Sequence, residues 1–202
     1  DINELAACAS AADAEALSRA GQEGLQKLEN CKKPIVAAIN GSCLGGGLEL
    51  AMACHYRVAS TSGKCQMGLP EVKLGLLPGA GGTQRLQKLV GIQEALKLTT
   101  TGGSLKADRA KRSGLVDVVA DPNQLDHAAA LCALKLADKS LKPSAGKKKN
   151  VLGRALEDNS LGRKVLFHKA REAADKAAGG NYPAIPLIID CIEMGANEGM
   201  TK

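Results

Sequence analysis

The sequence predicts an α/β fold in which short strands alternate with helices. Short apolar runs, such as IVAAI at residues 35–39, have the length of a strand, and the amphipathic stretches between them have the length of a helix. Glycine-rich turns join the two kinds of segment. Hydrophobic residues make up 45% of the 202 residues but aromatic residues only 1%, so we expect a core of aliphatic side chains.

The first part of the chain predicts a helical region followed by three strands and one helix. Residues 3–30 form the helical region, and Asp13 is the expected N-cap within it. The run at 35–39 is apolar throughout, which predicts a strand buried on both faces. The next predicted elements are a helix at 46–54 and strands at 56–59 and 64–68.

The rest of the chain continues this alternation and then becomes helical. Thr83 is the expected N-cap of a helix that ends near residue 90. Further on we expect helices at 92–101, 105–113, 122–139, 152–178 and 187–197, and a strand at 115–119. Because two helices alone rarely make a domain, the last two are expected to pack on something else.

Composition divides the chain into three parts. Residues 1–142 carry the α/β pattern, and residues 151–202 read as helices. Between them, residues 143–150 (PSAGKKKN) are polar and basic, which is typical of a linker. The chain begins without an initiator Met, so we expect it to be a fragment of a longer protein.

The composition also narrows the classes of partner. A net charge of +6 suits an anionic small ligand about as well as nucleic acid. One Phe, two Tyr and no Trp argue against binding of single-stranded nucleic acid, which relies on aromatic stacking. The seven cysteines include no C-x-x-C pair, so neither a disulfide framework nor a metal site is expected. No apolar run approaches the roughly 20 residues of a membrane span.

Two glycine-rich turns in the central stretch each have a carboxylate close by. The run 45–47 (GGG) opens a predicted helix whose first turn carries Glu49, and Glu71 precedes the run 79–82 (GAGG). Unpaired N–H groups at a helix start can hold a developing oxyanion. Two carboxylates that face one ligand can hold a water between them, one acting as base and the other as acid.

Simpler readings of these residues stay open on the sequence alone. Glu49 also fits an ordinary first-turn glutamate favoured by the helix dipole, and Glu71 fits a solvated loop carboxylate. The glycine runs also fit plain chain reversals. They match neither a P-loop, which requires G-K-S/T, nor the G-x-G-x-x-G fingerprint of dinucleotide sites.

The other candidate residues favour structural roles. His55, His127 and His168 share no spacing with acids or cysteines, so each is expected to be a packed or surface histidine. Cys43 and Cys65 flank the first glycine run, but no histidine is placed to activate them. We therefore expect inert thiols.

The two central motifs, INGSCLGGGLELAMAC and LPEVKLGLLPGAGGTQRL, resemble the enoyl-CoA hydratase/isomerase (crotonase) family over about residues 1–120. The resemblance implies a crotonase-like ββα spiral, incomplete at the N-terminus and followed by helices, that binds an acyl-CoA thioester. It implies that Glu49 and Glu71 are the two catalytic glutamates and that the Gly46 N–H is one oxyanion donor. The second donor is expected upstream of Asp1.

The same resemblance implies that Leu44, Gly45, Pro78 and Gly79 bind the substrate. It implies no metal and no cofactor, since the CoA thioester is itself the substrate. The presence of both glutamates favours a lyase that hydrates a long-chain 2-enoyl-CoA in fatty-acid β-oxidation. A Δ3-Δ2 enoyl-CoA isomerase is the alternative on the same scaffold, and a non-catalytic assembly module is the alternative of another class.

Two runs near the end, LGRKVLF and GNYPA, resemble the segment that joins hydratase to 3-hydroxyacyl-CoA dehydrogenase in the trifunctional α-subunit family. The resemblance implies that residues 151–202 lead toward an NAD-dependent dehydrogenase domain. It also implies a homo-oligomer with a thiolase β subunit as partner, no nucleic acid, and a mitochondrial location with inner-membrane association. His55 stands where many relatives carry an Asp.

Overall fold

A computed structural model describes residues 2–146, 151–178 and 182–198. The helices in these ranges are α1 (Ile2–Ala6), α2 (Ala11–Glu29), α3 (Gly46–Ala53), α4 (Gly82–Val90), α5 (Ile92–Thr101), α6 (Ala107–Ser113), α7 (Leu125–Ala137), α8 (Val151–Glu157), α9 (Ser160–Ala178) and α10 (Ala184–Glu198). The strands are β1 (Val36–Ile39), β2 (Ser42–Leu44), β3 (Tyr56–Ser60), β4 (Gln66–Gly68), β5 (Ser104–Lys106) and β6 (Val118–Ala120). Short 3₁₀ turns span Glu71–Leu74 and Pro122–Gln124.

The strands form two small sheets. The first has the order β1-β3-β6 with all strands parallel, and the second has the order β2-β4-β5, in which only the β4–β5 pair is antiparallel among the described strands. Parallel neighbours need a crossover between them, and the helices supply it. The predicted α/β class is therefore confirmed.

The main core is aliphatic, as the composition predicts. It lies where the two sheets meet α3 and α4, and its fully buried members include Leu48, Met67, Leu86 and Leu115. Burial of one such side chain contributes about 1.5–3 kcal/mol. This core fixes the positions of the two segments that carry the glycine runs.

A buried arginine joins β3 to the chain before β6. Arg57 is 1% exposed, and its Nη2 lies 3.1 Å from Oδ2 of Asp117. Its Nε and Nη1 also donate to the carbonyl oxygens of Leu115 and Cys54, both at 2.9 Å. A buried charge is tolerated when it is paired and its remaining donors are used, and Arg57 meets both conditions.

Two predicted helix caps are wrong. The N-cap of α2 is Ser10, and Asp13 is the third helical residue of a capping box: its N–H donates to Ser10 Oγ at 3.2 Å, and its carboxylate accepts the Ser10 N–H at 2.9 Å. Helix α4 begins one residue before Thr83. Its N-cap is Gly81 in the left-handed conformation, and Thr83 is buried inside the first turn.

Several predicted boundaries also change. The predicted helix at 105–113 is the short strand β5 followed by α6, and the strand expected at 115–119 is β6. The single helix expected at 152–178 is divided into α8 and α9, because Asn159 Oδ1 accepts the Gly162 N–H at 2.7 Å and so caps a new helix. The expected burial of β1 on both faces is wrong at Ala38, which is exposed on this edge strand.

The helical tail, which comprises α8, α9 and α10 with Tyr182 just before α10, packs on the α/β part of the same chain. Phe167 of α9 and Ile188 and Ile192 of α10 are fully buried in one cluster with Val72 of the first 3₁₀ turn and Leu96 of α5. The last two helices, which were expected to pack on something else, both contact α5, and α10 also contacts α4. Val72 of the 3₁₀ turn lies in the same cluster as α10. Residues 147–150 of the predicted linker and residues 180–181 of the GNYPA run lie outside the described residues.

Candidate active site

The first glycine run converts the end of β2 into the start of α3. Gly45 has a φ of +55° and a ψ of −130°, a conformation that side-chain-bearing residues rarely adopt. Its N–H donates to the Gly68 carbonyl at 3.0 Å, while its own carbonyl accepts the N–H groups of Leu48 and Glu49. Gly46 is then the first helical residue, and within the described part of the chain its N–H has no acceptor.

Glu49 links this helix to the second glycine run. Its side chain points inward from the first turn of α3, and the residue is only 4% exposed. Its Oε1 accepts the N–H of Ala80 at 2.9 Å and the N–H of Gly82 at 2.7 Å. A Cβ added at Gly82 would lie 2.8 Å from this oxygen, so the approach requires glycine.

The environment of Glu49 acts on its pKa in opposite directions. Burial raises the pKa above its ordinary value, and it is the largest effect. The hydrogen bonds from Gly82 and Ala80 and the charge of Arg85 act against it. Arg85 is itself buried: its Nη1 donates to the Ala80 carbonyl at 2.8 Å, and its Nε lies 3.0 Å from Oε2 of Glu29.

Glu71 is the first residue of the 3₁₀ turn and not part of an open loop, which corrects the sequence reading. The residue is half-buried, and within the described chain its Oε2 is buried without a hydrogen-bond partner. Its pKa is raised to about 7, chiefly by burial and also by the nearby charge of Glu49. A Cβ built on Gly45 would lie 3.3 Å from its Oε1.

Each carboxylate thus contacts the glycine run that is farther from it in sequence. Glu49 follows the first run but binds N–H groups of the second, and Glu71 precedes the second run but lies against the first. Both line one cavity of about 1240 Å³. The same cavity is lined by the other predicted site residues, Gly46, Leu44, Gly45, Pro78 and Gly79.

Two walls of this cavity come from helices that the two motifs do not include. One is α2, from which Leu17, Ser18 and Gly21 face the space, and the other is α10, which contributes Leu187 and Met194 among others. The spacing of Leu187, Cys191 and Met194 on one helical face was a signal for the second wall. No local sequence pattern indicates that α2 also lines the cavity.

The remaining candidates have structural roles. His55 Nδ1 accepts the Ile35 N–H at 3.0 Å, which fixes the entry of β1. Burial raises the pKa of Cys43 to about 11 and also raises that of Cys65, so both thiols stay protonated and unreactive near neutral pH.

The arrangement supports proton transfer to and from a bound ligand. One carboxylate is held by two N–H groups, which favour its charged form, and the other has a pKa of about 7 and an oxygen without a partner among the described residues. The unpaired Gly46 N–H lies beside them at a helix start, where developing negative charge is stabilised.

Curated relatives cover the whole chain. A protein of Idiomarina loihiensis named "Fatty acid oxidation complex subunit alpha" is 49% identical over 199 residues. Proteins with the same name from Shewanella loihica and Aliivibrio fischeri are 48% and 47% identical, each over 202 residues. The chain spans 28% of the length of each of these relatives.

The predicted mitochondrial location, with its inner-membrane association, is wrong. These relatives are bacterial, and bacteria contain no mitochondria. Among the described residues, no helix combines the length and the apolar character that crossing a membrane demands.

Solved structures share the fold. The structure of Pseudomonas aeruginosa DspI is 36% identical to this chain, with a TM-score of 0.63. The match covers 88% of this chain and 65% of the DspI chain. The structure of an enoyl-CoA hydratase from Bacillus anthracis is 31% identical, with a TM-score of 0.62. That match covers 90% of this chain and 66% of the hydratase chain. The sequence model of the enoyl-CoA hydratase/isomerase family matches residues 1–177. The spiral expected from the two motifs is therefore the fold of this chain, which belongs to the enoyl-CoA hydratase/isomerase family.

Proposed function

We propose that this chain is an enoyl-CoA hydratase module of fatty-acid β-oxidation, which adds water across the 2,3-double bond of a 2-enoyl-CoA. One observation carries the proposal: two carboxylates of different environment line one cavity beside an unpaired helix N–H. Family membership supports the substrate class, and the names of the relatives support the pathway. The reaction consumes only the thioester and water, so the proposal includes no cofactor.

The different environments of the two glutamates support different roles. Glu49 accepts two N–H bonds on Oε1, which leaves Oε2 to take a proton from a water that attacks C3. Glu71 has a pKa of about 7, so near neutral pH a large fraction carries the proton that C2 must receive. Proton exchange through solvent then returns both groups to their starting states.

The helix start completes the mechanism. As water adds to C3, electron density moves from the double bond through C2 onto the thioester oxygen. The Gly46 N–H is placed to donate to that oxygen, and a Cβ position on Gly46 meets no atom within 4 Å, so the thioester can approach the backbone closely. Leu44, Gly45, Pro78 and Gly79 line the adjoining walls of the cavity, and this location supports a role for them in binding the substrate.

Substitution of each glutamate tests the proposal. In the intact protein, Glu49→Gln and Glu71→Gln should each lower kcat for crotonyl-CoA hydration by about 10²–10⁴-fold, because each removes one proton-transfer group. The absorbance of the conjugated thioester measures the rate. Glu172→Gln is the matched control, since Glu172 is an exposed carboxylate on α9 that pairs with Lys176, and its kcat should be unchanged.

Retention of the normal rate by either Gln variant would rule out the assigned mechanism. The Δ3-Δ2 isomerase remains the second candidate because a single carboxyl group with a pKa of about 7, as in Glu71, suits the transfer of a proton between C2 and C4. A 3-enoyl-CoA assayed beside crotonyl-CoA separates the two activities. Isomerisation that survives Glu49→Gln while hydration is lost would assign the two reactions to different groups.

The larger assembly is also a proposal. The relatives are named as α subunits of a fatty acid oxidation complex, so we place this chain in such a subunit, with residues 1–142 as the hydratase part, 143–150 as a linker and 151–202 as a connector. By the same resemblance the parent carries an NAD-dependent 3-hydroxyacyl-CoA dehydrogenase, forms homo-oligomers and binds a thiolase β subunit.

A further inference from the structure

The 3₁₀ turn that carries Glu71 is short and is held internally by a few backbone hydrogen bonds, such as that from the Gly75 N–H to the Val72 carbonyl at 3.0 Å. It is four residues long, Glu71–Leu74, and ends at Gly75 with a φ of +73°. Its N-cap is Pro70, which makes no side-chain capping bond. Turns of this kind have poorer hydrogen-bond geometry than α-helices, so contacts from outside the turn can help to fix the position of Glu71.

A tyrosine of the tail provides such a contact. The Tyr182 hydroxyl donates to the carbonyl oxygen of Val72, the residue after Glu71, and accepts the Gly75 N–H at 3.1 Å. One hydroxyl therefore contacts both Val72, inside the turn, and Gly75, its C-cap, from a position 110 residues away in sequence from Val72. It adds to the turn's own hydrogen bonds, in which the Gly75 N–H donates to the Val72 carbonyl at 3.0 Å and the Leu76 N–H donates to the Glu71 carbonyl at 3.1 Å.

The tail also holds the turn through apolar packing. Val72 is 4% exposed and belongs to one cluster with Ile188, Ile189 and Ile192 of α10, and the Tyr182 ring packs against the same cluster. Lys73 and Leu74, by contrast, are exposed. The turn is thus fixed at Val72 by α10 and at its carbonyl by Tyr182.

Glu71 itself has few anchors of its own. Its Oε2 is buried with no hydrogen-bond partner in the described ranges, so no partner there fixes this oxygen. We propose that Tyr182 is a positioning residue for Glu71, and that the tail helices are in this way part of the catalytic unit. The inference rests on the proposed function, in which Glu71 is the acid.

Tyr182→Phe tests the role, because it removes the hydroxyl and keeps the ring that packs. In the intact protein, kcat for crotonyl-CoA should fall about 10- to 100-fold, as expected for a displaced catalytic group, while KM stays within about twofold of its original value because uniform binding is retained. Thermal unfolding checks that the variant is folded.

The pH profile of kcat provides a readout that a purely structural role would leave unchanged. Activity should decline as the pH rises through about 7, where Glu71 loses its proton. Loss of the Tyr182 hydroxyl should let the turn shift and expose Glu71 to more water. Burial would then raise the pKa of Glu71 less, and the decline should begin at lower pH. Tyr56→Phe is the matched control: Tyr56 packs in a separate cluster on β3, so kcat and the pH profile should not change.

A folded Tyr182→Phe protein with an unchanged kcat and pH profile would overturn the proposal. A failure of the proposed function would look different, since the unsubstituted protein would then not hydrate crotonyl-CoA. In that case the titration of the Glu71 carboxyl carbon by NMR, assigned with Glu71→Gln, decides the matter without substrate. A titration midpoint that falls in Tyr182→Phe supports the positioning role, and an unmoved midpoint refutes it.

Discussion

At the scale of single residues, the candidate site depends on backbone groups more than on side-chain partners. Glu49 is held by the N–H groups of Ala80 and Gly82, and Glu71 lies against Gly45. Backbone donors are fixed by the fold and do not rearrange during a reaction, which is the property required for electrostatic preorganisation. The glycines are necessary because they admit the carboxylates at these distances.

Substitution of Gly82 should therefore affect both catalysis and folding. A Cβ in Gly82→Ala would lie 2.8 Å from Glu49 Oε1 and 2.9 Å from the Pro78 Cβ, so Glu49 must move. We expect kcat for crotonyl-CoA to fall about 100-fold, the loss typical of a 1 Å displacement. The overpacking should also lower the free energy of unfolding by about 1–3 kcal/mol. Enzyme kinetics and urea unfolding measure the two effects.

Gly24→Ala is the control for this substitution. Gly24 lies within α2, and a Cβ there meets no atom within 4 Å. Alanine in a helix interior should raise the free energy of unfolding by up to about 1 kcal/mol and leave kcat unchanged. A Gly82→Ala protein with normal kcat would show that the reaction does not depend on the position of the Glu49 carboxylate.

At the scale of elements, the sequence predicted those segments whose signal is local. Helix α3 was expected at 46–54 and spans Gly46–Ala53, because the glycine run and the apolar residues after it are adjacent in sequence. The sequence predicts a helix at 105–113 and does not indicate β5, because Ser104–Lys106 form a strand only through their pairing with β4. Propensity is overridden there by a tertiary contact.

The same distinction explains how much of the candidate site could be predicted. The identities of Glu49, Glu71 and Gly46 came from two contiguous motifs, and the structure places them in one cavity. The bonds from Ala80 and Gly82 and the contact of Tyr182 with the 3₁₀ turn came from the structure alone. These contacts join segments that lie 31 and 33 residues apart in the first case and 110 in the second, a distance that local patterns do not report.

The packing of α10 can be tested at this scale. Ile189→Ala removes a side chain with no solvent exposure from the cluster that also holds Val72. The cavity it leaves should lower the free energy of unfolding by about 2–5 kcal/mol, measured by urea unfolding. Leu134→Ala on α7 is the control, since Leu134 is 67% exposed and its loss should change the free energy by no more than about 0.5 kcal/mol. Equal effects of the two variants would contradict the burial of α10.

At the scale of the whole molecule, the cavity is assembled from distant parts of the chain. Helix α2 forms one wall, the two glycine runs form the floor with the carboxylates, and α10 forms another wall. Apolar side chains such as Leu17, Leu44, Leu76 and Leu187 line much of it, as suits the acyl part of a thioester. A ligand that fills the cavity must contact all three parts at once.

Binding of an acyl-CoA should therefore stabilise the entire chain. At a ligand concentration of about 100 times Kd, the gain is about 2.7 kcal/mol, which for a chain of this size raises Tm by roughly 5–10 °C. Thermal unfolding with a saturated long-chain acyl-CoA, which cannot react, measures the shift. Free CoA should give a smaller one. An unchanged Tm at high ligand concentration would favour the alternative of a non-catalytic assembly module.

The contact between Tyr182 and Val72 has a consequence for biosynthesis. The two residues are 110 positions apart, so at about 5–20 residues per second the ribosome needs about 5–20 s to make the second partner after the first. During that interval the nascent chain can form β1, β3 and the floor of the cavity, but the turn that carries Glu71 lacks its contact with Tyr182. Under the proposed function, Glu71 therefore reaches its final position only after Tyr182 has been made, so the candidate site matures later than the segment that carries its two glutamates.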